Sequence, residues 1–111
     1  MKARKIILIS YDIEISDANG SIKKIPYDIK RSIADIFLAP HLKLNGSSLI
    51  KNWKIAEKIL GCEEDFILLT PEEFSILSSA IEVIDVFTKN DVEMIRRIQE
   101  AEVVEVEEKK K

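Results

Sequence analysis

Two side chains suited to nucleophilic or acid–base chemistry at neutral pH occur once each: His41, just after Pro40, and Cys62, just after Gly61. A Cys–His pair works when the imidazole draws the proton from the thiol at hydrogen-bond distance. Their separation in sequence leaves contact in the fold open. A lone cysteine beside a helix-ending glycine is, however, the usual setting of a small packed side chain. One Cys and one His also fall short of a structural zinc site unless carboxylates complete it. Asp17-Ala18-Asn19-Gly20 imitates the middle of a calcium loop. In that register the first ligand position is Ile15 and the twelfth is Pro26, and neither supplies a side-chain oxygen.

Carboxylates cluster at Glu63-Glu64-Asp65 and at Glu72-Glu73. A solvated loop explains the first, and complementarity to the positive end of a helix explains the second. The chain has three glycines and no Gly-rich phosphate loop. No catalytic constellation, metal site or cofactor is therefore expected, and the chain reads as a non-enzyme. Residues able to bind nucleic acid are better grouped. Ser47, Ser48, Lys51, Asn52 and Lys54 fall near the start of one helix and can reach phosphates and base edges. The connector before that helix, Ala39 to Ser47, is longer than the turn of about 3–4 residues in a helix-turn-helix. Arg96 and Arg97 stand among acids, where pairing with Glu93 and Glu100 along one helix accounts for them.

These side chains must be positioned by elements whose pattern is legible. Ile6-Ile7-Leu8-Ile9, followed by Tyr11, Ile13 and Ile15 alternating with Asp12 and Glu14, predicts one strand over 5–15. Asn19-Gly20 predicts a tight hairpin turn, with a returning strand over 21–25. Pro26 is placed to open a helix over 27–38, whose apolar positions are Ile29, Ile33, Ile36 and Phe37, and Pro40 prevents its continuation. Asn45 to Ser48 supply caps for a second helix over 48–60. Leu49, Trp53, Ala56 and Leu60 mark its buried stripe, and Gly61 is placed to end it in the left-handed conformation. Phe66 to Leu69 read as a buried strand. Thr70-Pro71-Glu72-Glu73 carries a capping Thr, a first-turn Pro and a Glu three residues after the cap, with Leu69 and Phe74 spaced as a hydrophobic staple. That helix should stop near Phe87. Asn90 and Glu93 predict a fourth helix reaching Ala101. Val104 and Val106 alternate with Glu105 and Glu107 as a terminal edge strand.

The expected architecture is a single α+β domain over 1–107, order ββααβααβ, with a small mostly antiparallel sheet covered by helices on one side and a frayed tail at 108–111. At 111 residues with 46% apolar composition, one core is the natural expectation. The single cysteine excludes an internal disulfide and fits a cytoplasmic setting. The apolar run after the basic first residues is too short for a signal peptide or a membrane span. The net charge of −3 conceals a split. Residues 1–60 carry 11 Lys/Arg against 6 Asp/Glu, and residues 61–111 carry 6 against 14. Two segregated surfaces would make a dipole suited to head-to-tail association, whereas intermixing would cancel it.

Ile25 to Lys30, Leu42 to Gly46 and Ile55 to Ile59, with Leu68 to Phe74 and Val92 to Arg97, resemble in their order small uncharacterised proteins of phage and prophage gene clusters. The resemblance is architectural and covers most of the chain. It implies a small non-enzymatic protein acting by binding others, in a host-cell cytoplasm or a virion, and it transfers no site residue. The leading expectation is therefore a protein-interaction module of accessory or assembly type, able to self-associate as a homo-oligomer, that uses the charge-polarised surface and the terminal strand, with Val104, Glu105 and Val106, to add to a partner sheet. The alternative is a small nucleic-acid-binding regulator using Lys51, Asn52 and Lys54. Neither a membrane nor a small-molecule substrate is implied.

Overall fold

The computed structural model describes residues 2–85 and 87–106. The chain is α+β, with strands β1 (Lys2–Ile7), β2 (Asp12–Ser16), β3 (Ile22–Pro26), β4 (Phe66–Leu69) and β5 (Glu102–Glu105). The α-helices are α1 (Ile29–Phe37), α2 (Gly46–Leu60), α3 (Pro71–Val83) and α4 (Val92–Gln99), and single 3-10 turns occupy Pro40–Leu42 and Lys89–Asp91. The tail at 108–111 and the predicted domain limit at 107 lie outside the described residues.

The strands form two antiparallel sheets where one was expected, a three-stranded sheet of order β4-β1-β5 and a β2-β3 ribbon. The predicted first strand is two. Leu8 is buried and its N–H donates to the Asp65 carbonyl at 2.7 Å, while Ile9 and Ser10 turn out to solvent. The chain thus leaves one sheet before Tyr11 begins the next, and a continuous apolar run does not show such a break. The hairpin forms as expected but on a longer loop: Ser16 pairs with Ile22, and of the Asn-Gly pair Gly20 alone takes positive φ, +78°, while Asp17 Oδ1 accepts from the N–H groups of Asn19 and Ser21, at 2.9 Å each. Pro26 ends β3 and does not open a helix. The Tyr27 N–H still pairs with the Tyr11 carbonyl at 2.7 Å, and Asp28 is the cap, accepting from the Arg31 N–H at 3.1 Å.

In the three-stranded sheet, Ile6 stands opposite Ile67 on the face turned to the core, joined there by Leu69 opposite Arg4. The other face carries Lys5, Phe66, Leu68 and Val104, all half-buried, with the Lys5 ammonium 4.8 Å from the Phe66 ring centroid. The helices complete the core with Ile29, Ile33 and Phe37 of α1, Ile55 and Ile59 of α2, Leu77 of α3, and Met94 and Ile98 of α4. The capping box of α3 forms as predicted. Thr70 Oγ1 accepts from the Glu73 N–H at 3.1 Å, and Glu73 Oε1 accepts from the Thr70 N–H at 2.9 Å. That helix ends at Val83, short of Phe87. The cap predicted at Asn90 does not form: α4 starts after Asp91 with no side-chain cap. A capping box instead closes the 3-10 turn before it, where Asp91 accepts from the Thr88 N–H at 2.9 Å, and Glu93 turns to Arg96 and Arg97. Helix α4 stops at Gln99, before Ala101.

The two charge-biased halves fold against each other. Lys51 pairs with Glu72, Lys58 with Glu73 at 2.9 Å, and Lys2 and Lys5 of β1 stand opposite Glu105 and Glu102 of β5. Intermixing therefore replaces the segregation that a head-to-tail dipole requires.

Candidate functional site

Helix α2 is the element whose outward face departs furthest from expectation. Its inner stripe is Asn52, Ile55, Ala56 and Ile59, set against α1. Of the predicted buried stripe only Ala56 is inside; Leu49, Trp53 and Leu60 are 45%, 48% and 45% exposed, and Ile50 is 59% exposed. One helix thus carries two apolar stripes, one serving the core and one open. The cause is its outlying position: α2 packs mainly on α1 and reaches α3 through Lys51 and Lys58, which leaves the remaining side open. Gly61 ends it in right-handed geometry, φ −85°, and does not take the left-handed cap.

Asn52 is drawn away from any interaction surface. It is 4% exposed, and its Nδ2 donates to the Phe37 carbonyl at 2.9 Å, closing the end of α1. A group so engaged cannot read a base edge. Lys51 is exposed but tied to Glu72, and Lys54 is exposed. Asn52 therefore does not join Lys51 and Lys54 on the surface.

The sheet edges differ. On β4 the carbonyls of Phe66 and Leu68 are met by Cys62 Sγ at 3.3 Å and Lys58 Nζ at 3.2 Å. Strand β5 forms the opposite edge, as the alternation of valines and glutamates predicted, although it spans 102–105 and Val106 follows it. Val104 stands opposite Ala3 and is half-buried, while Glu105 is exposed.

A polar cluster that sequence reasoning missed joins the ribbon to α4. The Tyr11 and Tyr27 rings stack at 4.9 Å between centroids. Tyr11 Oη accepts from the Met94 N–H at 3.1 Å, and the Tyr27 hydroxyl donates to Asp91 Oδ1 at 2.5 Å. Arg97 donates to the carbonyls of Ile7 and Ile9 at 3.3 and 2.7 Å and to Glu93 at 3.0 Å, with its guanidinium 5.0 Å from the Tyr11 ring centroid. Burial pushes both tyrosine hydroxyls above their ordinary range, and for Tyr27 the hydrogen bond to Asp91 adds to it. For Glu93, burial pulls upward, but hydrogen bonds and attraction from Arg96 and Arg97 prevail and hold it below the carboxylate range. The stacked Tyr pair across 16 positions was the available signal; its partners lie too far along the chain for spacing rules to find.

Beside this cluster a cavity of about 510 Å³ is lined by Tyr27, Ile36, His41, Ile84, Phe87 and Met94 among others. Two of its polar groups are already engaged, Tyr27 with Asp91 and Asp91 with Thr88, and His41 Nε2 lies 3.8 Å from the exposed Asp85. Cys62 instead faces the carbonyl of Phe66, so Cys62 and His41 are held by different elements and form no pair. Among the described residues no cluster of three or more His, Cys, Asp or Glu is placed to hold a metal ion, and no helix is long and apolar enough to cross a membrane. Comparison with protein-family models, with curated proteins and with solved structures finds no match.

Proposed function

We propose that this chain is a non-enzymatic protein-interaction module, an accessory or assembly protein of the phage type its order of elements resembles, and that α2 is its docking helix. The observation that carries this is the open stripe Leu49, Ile50, Trp53 and Leu60. Single exposed apolar residues are ordinary, but four large ones along one helix face, including a tryptophan, have the make-up of an interface anchor. Aromatic side chains at the centre of such a patch contribute most of the binding energy when a partner removes them from water. Helix-in-groove or helix-on-helix recognition is the mode that suits this geometry.

Photo-cross-linking tests the reading. A benzophenone side chain replaces Trp53 in cells that carry the gene, with Lys24 on the exposed ribbon as the control position. Covalent protein adducts are expected from position 53 and not from position 24, and Leu49→Glu with Leu60→Glu should abolish them. Equal adducts from both positions, or none from position 53, would overturn it.

A further inference from the structure

We infer that the occupant of the α2 stripe is α2 of a second copy of this chain, lying antiparallel about a twofold axis that crosses the helix at the level of residue 55. This rests on the reading of α2 as a docking face and names its partner.

The spacing of the stripe is self-complementary about that level. Leu49 and Ile50 lie six and five residues before it, and Leu60 lies five after. An antiparallel copy therefore sets Leu49 and Ile50 against the partner's Leu60, and the twofold repeats the contact at the other end. Trp53, two residues before the level, meets the methylenes of the partner's Glu57, two residues after it.

The charges favour the same arrangement. On the open side of α2 stand one Lys and one Glu, Lys54 and Glu57, both exposed. The other lysines of the helix, Lys51 and Lys58, face α3 and are paired with Glu72 and Glu73. Antiparallel packing at this level brings Lys54 to the partner's Glu57 twice over. A parallel copy would set Lys54 on Lys54 and Glu57 on Glu57, so the charge order selects direction. A surface with one charge of each sign is also a poor match for nucleic acid or any strongly charged partner, whereas an apolar, net-neutral patch that repeats itself under a twofold is what a symmetric dimer uses.

The expected affinity is modest. A 15-residue helix is about 22 Å long, and one helix pair covers less than the roughly 800 Å² per partner of a standard interface. The dimer should accordingly dissociate in the micromolar range or above.

Sedimentation equilibrium of the full chain from micromolar to millimolar concentration tests this. Trp53, the only tryptophan, gives a second readout, because its emission should shift to the blue as the dimer forms. A monomer–dimer equilibrium is expected, and Trp53→Lys should weaken association at least tenfold. Lys54→Glu and Glu57→Lys should each weaken it, and the double exchange should restore it, since the pairs re-form with reversed sign. These positions are exposed, and circular dichroism checks that the variants fold. A monomer throughout, a dimer indifferent to Trp53→Lys, or a double exchange weaker than either single would overturn the inference. A monomer whose position 53 still cross-links to a different protein removes the second copy but leaves α2 as a docking helix. A monomer without such cross-links removes both.

Discussion

Asn52→Ala separates the observed role of α2 from the one its sequence suggested. Phe37 is the last residue of α1, so its carbonyl is among those with no partner inside the helix. Asn52 supplies that partner from the neighbouring helix at 2.9 Å, in a site only 4% exposed. Truncation strands a buried carbonyl at a cost of about 1–3 kcal/mol. A small void adds to this, and the better helix propensity of Ala returns about 0.5 kcal/mol. The net expectation is a loss of about 2 kcal/mol, which for a domain of this size lowers Tm by roughly 8 °C. Urea denaturation at micromolar protein should show a lower midpoint with an unchanged slope. Lys54→Ala, two residues on but exposed, is the control and should lie within about 0.5 kcal/mol of the parent. If Asn52→Ala matches that control, Asn52 does not close α1. If it leaves stability intact and abolishes a salt-dependent affinity for DNA or RNA, the outward, base-reading role is restored.

Three further outcomes are expected. Tyr11 and Tyr27 keep their protons in the fold to higher pH than in the unfolded chain, so their contribution is complete below pH of about 10 and is lost as pH rises through the folded values. Tyr27→Phe should flatten the alkaline fall of the urea midpoint. Glu93 is held below the ordinary carboxylate value, so its contribution is complete above pH of about 4.3 and is lost as pH falls through the folded value; Glu93→Gln should flatten the acid limb of the same profile. Thr70→Ala removes the hydroxyl that accepts from the Glu73 N–H and should cost about 1 kcal/mol in chemical denaturation.

What could be read from the sequence was mostly local. The hairpin at Asn19-Gly20 and the Thr70 to Glu73 cap depend on residues within four positions of each other, and both form, the first on a longer loop in which Gly20 alone of the pair takes positive φ. Strand β4 was legible because the acidic loop before it and the cap after it bound it on both sides. The break at Leu8 to Tyr11 was not, since it depends on Asp65, far along the chain, accepting from the Leu8 N–H. The contacts of Arg97 with the carbonyls of Ile7 and Ile9 are hidden for the same reason, although its pairing with Glu93 was foreseen.

Helix α2 shows why periodicity alone misassigns a face. A period of 3.6 establishes that apolar residues share a side, and it does not say which side meets the core. Placing the largest side chains inside is the natural choice, and it selects Leu49, Trp53 and Leu60. The fold selects Asn52, Ile55, Ala56 and Ile59, because a closely packed neighbour helix takes up small and branched residues and because the α1 carbonyl needs a donor at position 52. A chain that acted only as a monomer would gain nothing from the stripe left outside, which exposes a tryptophan and three aliphatic residues to water and invites association. In the proposed antiparallel pair Leu49 and Ile50 meet the partner's Leu60, and Trp53 meets the partner's Glu57. On the proposed pairing, the face misread from the sequence as core is core-like in composition for a physical reason, since a surface buried on association obeys the same chemistry as one buried on folding.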